Sequence, residues 1–351
     1  MVMSQVLKKY QTIALFDTPT VRSIVHEIGV GRLLHWYPLL GGWRNVTLYI
    51  KTTEGEYVLR VYRFRPKAEQ DILLELRLVK HLAAKGVPVA VHVPPKGGDG
   101  FLHRTVGGRI FDMVMFTYVF GERIEQVNKE QLYELGKLLG KIHHALSDFR
   151  PEHIKRKWYF GREMLRLRRK IIRRLRKHPA VLQGKKETLQ FKKQFESDLR
   201  KFRLLSKKFQ GVLRPRRIIH GDFHSDNVRF QGKEISGVFD FDNSMHAPLI
   251  LDLAVLARNT LMFSLQRSVT ILSPQEQIET ILDGYLSSHQ INKKALPLLI
   301  PLIQFGLYME MTWTIQSGYA KEKEGMHKYY FDTLRYGRDL LSSLTIPERF
   351  L

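Results

Sequence analysis

Carboxylates and an amide are concentrated between His220 and Asp252, where short β-like runs alternate with turn residues. Asp222 follows a His-Gly pair, and Asn227 stands five residues later. At this spacing, phosphoryl-transfer sites place an Asp that orients the acceptor hydroxyl and an Asn that holds Mg²⁺. A further acid, Asp240, follows the next β-like run. The pattern predicts a phosphoryl-transfer centre built from Asp222, Asn227 and Asp240.

The residue types at this predicted centre suit these tasks. Magnesium takes hard oxygen ligands in octahedral geometry and usually obtains few of them from the protein, the rest being phosphate and water oxygens. Asn227 and Asp240 supply such a partial set. Asp222 must stay off the metal and near the acceptor, because phosphoryl transfer gains mostly from alignment and charge stabilisation. Asp and Asn also populate ordinary turns, so the prediction depends on the whole set.

Two kinds of segment are predicted to position this centre. Residues 33–63 contain β-rich runs separated by glycine turns, which predicts an antiparallel meander, and residues 98–118 predict another strand pair. Apolar periodicity predicts helices over residues 69–85 and 129–146. After about residue 120 the chain is mostly helical. The sequence therefore predicts an α+β fold of two lobes.

Length and composition agree with this organisation. At 351 residues the chain exceeds the usual size of one domain. We expect an N-lobe over residues 1–118 and a C-lobe with the catalytic loop and acceptor site over residues 119–351. The absence of cysteine excludes disulfides and thiolate sites. The N-terminus lacks a signal-peptide pattern, and the apolar stretch from Ala295 to Met309 is too short to cross a membrane, so we expect a cytoplasmic protein without a transmembrane segment.

The formal net charge of +23 comes almost entirely from one segment. Between Lys155 and Arg217 there are 24 lysines and arginines against four acids, a net charge of +20. Within this basic segment, apolar residues recur at helical spacing in two runs, from Met164 to Leu175 and from Phe191 to Phe209, which predicts two packed helices. The charge is either a solvated face of these helices or a surface for an anionic partner.

Several segments, in the correct order, resemble the aminoglycoside phosphotransferase and homoserine kinase-like family, which has the protein kinase-like fold. The motif HGDxxxxN, followed by DFD and LDLA, carries the resemblance. GGWRN resembles the family's phosphate loop, YVLRVYR its third strand, YVFGERI its interlobe linker and LGKLLGKIHHAL its first large-lobe helix. The resemblance covers roughly residues 30–150 and 217–320. It implies an ATP- and Mg²⁺-dependent kinase that moves the γ-phosphate to a hydroxyl group of a small molecule, with homoserine as one candidate.

The same resemblance implies roles on the nucleotide side. Gly41, Gly42 and Asn45 fall in the phosphate loop. Arg60 takes the position of the strand lysine that contacts nucleotide phosphates, and its fixed charge and forked shape suit that task. Glu75 takes the position of its helix partner.

Further assignments from the resemblance concern the linker and the catalytic loop. The backbone from Thr117 to Val119 is expected to meet adenine. His220, placed with Asp222 in the catalytic loop, and Asp252 are expected to brace that loop.

The acceptor side is less determined by the sequence. Asp242 is a second-metal ligand, a substrate contact or a turn residue, and the sequence favours none of these. Tyr308, Glu310 and Trp313 lie where the family builds part of its acceptor pocket, although core packing is the commoner fate of such aromatic residues. An aromatic and acidic pocket would favour a cationic acceptor, whereas the basic segment would favour an acidic one.

Two alternative functions remain open at this stage. One is a Ser/Thr protein kinase of the bacterial stress-response type. The other is a non-catalytic, spore-coat-like relative that binds an anionic partner. A zinc site at His143, His144 and His224 is disfavoured because the first two are adjacent on a predicted helix rather than one turn apart.

Overall fold

A computed structural model gives the structure of the protein, and the residues that it describes are 9–39, 45–62, 69–98, 100–124, 128–154, 156–177, 185–213, 216–267, 272–316 and 340–351. Gly41 and Gly42 of the predicted phosphate loop lie outside these residues, as do the side chains of Leu175 and Trp313.

An antiparallel sheet forms the N-terminal part of the fold. Its strands are β1 (Leu33–Leu39), β2 (Val46–Thr52), β3 (Glu56–Tyr62), β4 (His92–Val93), β5 (Leu102–Val106) and β6 (Arg109–Thr117). Their order across the sheet is β1-β2-β3-β6-β4, with β5 also paired to β6. The predicted meander and the predicted strand pair are therefore confirmed.

A capped helix, α1 (Thr18–Ile28), covers one face of this sheet. The side chain of Asp17 accepts a hydrogen bond from the Thr20 amide at 2.8 Å, which satisfies one of the donors left free at a helix N-terminus. The helix ends at Gly29, whose φ of 85° is the left-handed conformation that glycine adopts without strain.

The predicted helix after β3 is confirmed as α2 (Glu69–Ala84), and it packs in two directions. Ile72 and Leu76 pack against the sheet. Leu78 and Leu82 belong instead to the large core of the C-terminal part. The helix therefore holds the sheet and the helical part together.

The C-terminal part is mainly helical, as predicted. Its helices are α3 (Lys129–Ala145), α4 (Phe160–Lys177), α5 (Lys185–Lys208), α6 (Ile250–Arg267), α7 (Pro274–Leu286) and α8 (Leu299–Gln316). Its short strands are β7 (Arg216–Ile219), β8 (Val228–Gln231), β9 (Glu234–Val238) and β10 (Met245–Pro248). β7 pairs with β10 and β8 pairs with β9, both antiparallel.

Glycines bring α3 and α7 into close contact. A Cβ at Gly284 would lie 2.0 Å from the Tyr133 carbonyl oxygen, and a Cβ at Gly136 would lie 2.2 Å from that of Ile281. Both values are far below a van der Waals contact, so only residues without a side chain permit this separation of the two backbones.

The two helices predicted in the basic segment are confirmed as α4 and α5, and they run antiparallel. The Phe160 and Phe202 rings lie 6.1 Å apart, while the Arg168 Nε atom lies 2.9 Å from a Glu196 carboxylate oxygen. Residue numbers therefore increase along α4 where they decrease along the adjacent part of α5, as in an antiparallel pair. The buried side chains on the faces that pack together are those of Met164, Leu167, Ile171, Phe195, Leu199 and Phe202.

The apolar stretch from Ala295 to Met309 is largely buried. Pro297 lies in a 3₁₀ turn and Pro301 in the first turn of α8, where a missing amide donor costs least. Among the described residues, no helix combines the length and hydropathy that a membrane crossing requires.

Candidate active site

The catalytic turn begins where β7 ends. Gly221 has a φ of 79°, and a Cβ there would lie 2.2 Å from the Asn243 carbonyl oxygen, so glycine allows the turn to pack directly on this neighbour. The Asn243 side-chain amide donates to Asp222 Oδ2 at 3.0 Å. The Asp222 side chain remains 36% exposed, with His224 Nε2 3.7 Å from its other oxygen. Asp222 is therefore held in orientation yet accessible to a substrate.

A fully buried carboxylate, that of Asp252 at the start of α6, holds the turn from below. It accepts hydrogen bonds from the backbone amides of His220 and Gly221, both at 2.8 Å. His143 Nε2 lies 3.1 Å from the same carboxylate, and the Tyr285 hydroxyl contacts the other nitrogen of that ring at 2.8 Å. The bracing role expected for Asp252 thus has a direct geometric basis.

His220 is buried and also supports the turn. Its Nδ1 accepts the Asp222 amide hydrogen at 3.3 Å, and its Nε2 faces the Phe239 carbonyl oxygen, also at 3.3 Å. Burial lowers the pKa of His220 below its usual value, against the opposing charge of Asp252. A neutral ring with the proton on Nε2 satisfies both contacts.

Asn227 and Asp240 are brought together by the β8-β9 hairpin. Val228 pairs with Val238, and the Phe239 amide donates to the Asn227 carbonyl at 3.0 Å, so Asp240 follows immediately beside Asn227. The Asn227 side-chain amide donates to the Asp222 carbonyl at 3.0 Å.

The backbone of Asp240 is strained. Its φ of 69° is the only positive φ of a non-glycine residue in the described part of the chain. Strain of this kind persists where the surrounding structure enforces it, and it is concentrated at functional sites.

Arg60 connects the sheet to this centre. Its guanidinium lies 2.7 Å from a Glu75 oxygen and 3.4 Å from an Asp240 oxygen. Burial alone lowers the pKa of Arg60, but the Asp240 and Glu75 charges raise it above its usual value. The Tyr62 hydroxyl donates to the second Glu75 oxygen at 3.0 Å. Asp242 contributes to the same rise in the pKa of Arg60, less than Asp240 and Glu75 do.

The donors present fit a divalent metal ion. One carboxylate, that of Asp240, and one amide oxygen, that of Asn227, are the partial ligand set that Mg²⁺ usually takes from a protein. Among the described residues, no three His, Cys, Asp or Glu side chains are grouped as a metal site formed by such residues alone would require. His143 is buried and contacts Asp252 and Tyr285.

The linker between the two parts is fastened to the β8-β9 hairpin. Glu122 forms a β-bridge with Phe230, and the Ser236 hydroxyl donates to the Phe120 carbonyl. The Thr117 and Tyr118 amides already donate to carbonyl oxygens of the sheet and its neighbouring loop. An adenine contact by the backbone from Thr117 to Val119 is therefore narrowed to Val119 and the carbonyl groups. The lobe boundary at this linker remains a prediction.

The predicted acceptor residues occupy different surroundings. The Tyr308 hydroxyl donates to buried Asp198 at 2.6 Å, which is the contact of a core residue. Glu310 lies 2.9 Å from Arg258, which lines a cavity between α4, α6 and α8. Asn45, which was predicted in the phosphate loop and not in the acceptor pocket, is half-buried and stands immediately before β2.

Sequence reasoning missed Asn243 and Arg258. Asn243 has no motif of its own and follows DFD like any turn residue. The sequence marks Arg258 only by its position six residues after the aspartate of LDLA on the same helix.

Comparison with known proteins identifies the family. The profile described as "Phosphotransferase enzyme family" matches residues 35–292, which is more than half of the chain. The chain belongs to this family. It is a kinase whose acceptor is a hydroxyl group of a small molecule, and the expected two-lobed, protein kinase-like fold is confirmed.

Curated relatives of this phosphotransferase include homoserine kinases. The protein from Bartonella henselae is 25% identical over 278 residues, covering 79% of this chain and 78% of the relative. The protein from Sinorhizobium fredii is 26% identical over 319 residues, covering 90% of each chain. These relatives give no support to the alternatives of a protein kinase or a spore-coat-like protein.

Solved structures share the fold at lower identity. The amicoumacin kinase hAmiN, in complex with AMP-PNP, Ca²⁺ and Ami, has a TM-score of 0.69 at 16% identity, covering 95% of this chain and 96% of that one. A microcompartment-associated aminopropanol kinase has a TM-score of 0.67, also at 16% identity, covering 93% and 96%. At this identity the likeness establishes the fold alone.

Proposed function

We propose that this phosphotransferase uses ATP and Mg²⁺ to phosphorylate the hydroxyl group of a small hydroxy amino acid or amino alcohol, with homoserine as the first candidate. The observation that carries the proposal is Asp222, which is fixed by Asn243 and still exposed, beside Asn227 and Asp240. A complex of hAmiN with AMP-PNP and a divalent cation supports the choice of nucleotide and metal. A cytoplasmic location is part of the same proposal.

Asp222 positions the acceptor and takes its proton. One oxygen accepts the Asn243 amide hydrogen, so the other is left to receive the hydrogen of an incoming hydroxyl group. Such positioning aligns the attacking oxygen with the phosphorus atom, which supplies most of the rate gain in phosphoryl transfer.

Asn227 and Asp240 would hold Mg²⁺, which supplies charge neutralisation for the phosphate oxygens when it is bound. Arg60 is the cationic partner on the sheet side. Because Glu75 and Asp240 both contact Arg60, they fix the direction of its guanidinium toward the phosphates.

We propose the cavity between α4, α6 and α8 as the acceptor subsite. Its volume is about 80 Å³. One water molecule needs roughly 10–15 Å³ of cavity volume, so this cavity has room for roughly five to eight water-sized groups. That number of non-hydrogen atoms is the size of a small metabolite. Apolar lining comes from Leu251, Val255, Leu302 and Met309.

The charged groups that line this cavity favour an acceptor with a carboxylate group. Arg258 Nε has no partner in the described part of the chain, although its terminal nitrogen pairs with Glu310. Glu163, which is 3% exposed, is held by Arg156 and Arg166. A carboxylate group of the acceptor would give the Arg258 Nε atom a partner, which agrees with the homoserine kinase relatives.

The cavity lies close to the catalytic turn. The His246 amide donates to the Arg156 carbonyl at 2.8 Å, and β10 pairs with β7 so that Met245 lies opposite Ile219. Neighbouring strands are about 5 Å apart, so the Arg156 backbone lies roughly 10 Å from the start of the catalytic turn. The acceptor subsite and the catalytic turn are therefore connected through β10.

Steady-state kinetics on Arg258→Gln tests the subsite. We expect the KM for homoserine to rise by about tenfold to a hundredfold, as the loss of a charged hydrogen bond predicts, while the KM for ATP stays unchanged. Arg349→Gln removes a surface arginine that pairs with Glu279 and Asp283, and it serves as the control. An unchanged acceptor KM in Arg258→Gln would exclude this subsite.

A further inference from the structure

The exposed face of the α4-α5 hairpin carries charge that phosphoryl transfer does not use. We call this face, formed by the outward side chains of α4 and α5, the basic surface. Its exposed cations include Arg169, Arg173, Lys193, Arg200, Arg203 and Lys207. They lie on two antiparallel helices whose apolar faces are already buried in the core.

The acids of the same hairpin do not neutralise this surface. The Glu163 and Asp198 side chains are 3% and 2% exposed, so they point into the protein. Glu196 is partly exposed and pairs with Arg168. Of the side chains that the structure describes on these helices, none places an unpaired carboxylate on the basic surface. Positive charge therefore dominates it.

Three leucines stand among these cations. Leu165, Leu189 and Leu204 are 57%, 55% and 68% exposed, although leucine is usually buried. By helical geometry, Leu189 and Leu204 point away from the face that Phe195 and Phe202 bury, and they lie about 22 Å apart along α5. The antiparallel pairing of the helices places Leu165 opposite the middle of this span.

We infer that the basic surface docks on a lipid bilayer that contains anionic phospholipids. Lysine and arginine gain electrostatic attraction to anionic headgroups, and exposed leucines insert at the boundary between headgroups and acyl chains. Nucleic acid would use the cations but has no use for the leucines, and stacking on single-stranded bases requires exposed aromatic side chains. Of the described aromatic rings of α5, Phe191 instead contacts Phe195 and Tyr308, and Phe202 contacts Tyr308.

Vesicle co-sedimentation of the full chain tests this inference. We expect binding to phosphatidylcholine vesicles that contain phosphatidylglycerol, little binding to phosphatidylcholine alone, and release at high salt. The variant Arg169→Gln, Arg173→Gln, Lys193→Gln, Arg200→Gln should bind at least about tenfold more weakly. The variant Leu165→Ser, Leu189→Ser, Leu204→Ser should also bind several-fold more weakly, because it loses the inserted apolar groups.

Matched controls separate docking from general charge and from catalysis. Changing four lysines outside the hairpin to glutamine (Lys80, Lys129, Lys141 and Lys293), or Leu34 to serine, should leave vesicle binding unchanged. Kinase turnover without vesicles should be the same in all variants, since no changed residue belongs to the site. Equal binding to neutral and anionic vesicles, or none to either, would overturn the inference. The inference would also be overturned if the protein bound duplex DNA, vesicles did not compete for that binding, and only the charge variant, not the leucine variant, weakened it.

Discussion

Asp252 shows how one buried carboxylate fixes a catalytic turn that it does not enter. It serves the His220 and Gly221 amides and the His143 ring at once. Asp252→Ala leaves these donors without an acceptor in the protein interior. We expect the free energy of unfolding to fall by roughly 3–5 kcal/mol and kcat to fall as well.

Urea denaturation measures the stability change of Asp252→Ala. The control is Asp283→Ala, which removes an exposed carboxylate paired with Arg349 and should change stability by less than about 1 kcal/mol. Similar losses of unfolding free energy in the two variants would show that the hydrogen bonds of buried Asp252 stabilise the protein no more than an exposed ion pair does.

His289 makes stability depend on pH. Burial, with help from the neighbouring His143 and His144, lowers its pKa to about 4. An unfolded histidine titrates near 6.5, so between about pH 6.5 and pH 4 the unfolded chain binds a proton that the folded chain does not. The free energy of unfolding should therefore fall as the pH drops through this window.

His289→Gln removes that contribution. We expect denaturation curves collected from pH 7 to pH 4 to show a shallower loss of stability in the variant than in the wild type. Buried His220 contributes with the same sign and remains in both proteins, so only the difference between the curves is diagnostic. Identical slopes would mean that His289 is not shielded as the structure shows.

At the scale of elements, the contact between α3 and α7 depends on missing side chains. Gly284→Ala would place a methyl group 2.0 Å from a backbone oxygen, and we expect a loss of roughly 1–3 kcal/mol in the free energy of unfolding. Gly161→Ala, on exposed α4 with open space around it, should instead stabilise by about 0.4–1 kcal/mol. A lower melting temperature for Gly284→Ala and a higher one for Gly161→Ala would verify the packing of α3 against α7. Equal changes in the two variants would contradict it.

The elements themselves were largely predictable from the sequence. The strands of the sheet, α2 and α3 follow from alternation, apolar periodicity and glycine turns, since these signals are local. The close approach of α3 and α7 at Gly136 and Gly284 was not predictable, because these helices are far apart in the chain.

The site divides in the same way. Asp222, Asn227 and Asp240 share one short stretch, so their spacing alone predicted a phosphoryl-transfer centre. Arg258 and Glu163 lie on different helices and meet only through tertiary packing at one cavity. No local pattern marks such residues, which is why the sequence alone did not identify the acceptor side.

At the scale of the whole molecule, the two proposed functions belong to separate regions. Phosphoryl transfer is assigned to the contact between the sheet and the helical part, where Arg60 approaches Asp240. The proposed membrane surface is the outer face of the α4-α5 hairpin, which carries most of the net charge. This separation predicts that variants of the basic surface lose vesicle binding and keep kinase turnover, whereas catalytic variants lose turnover and keep vesicle binding.

The central claim is that Asp222 positions and deprotonates the acceptor hydroxyl. Its most direct test follows transfer of labelled phosphate from ATP, with and without Mg²⁺, to homoserine and other small hydroxylated molecules, for the wild type, Asp222→Asn and Asp226→Asn. Asp226 is an exposed acid in the same loop that pairs with Arg123. We expect Mg²⁺-dependent transfer by the wild type and Asp226→Asn, and a loss of about 10²–10⁴-fold in kcat for Asp222→Asn with ATP binding retained. Transfer by Asp222→Asn at a rate close to that of the wild type, or no transfer by the wild type to any acceptor, would contradict the claim.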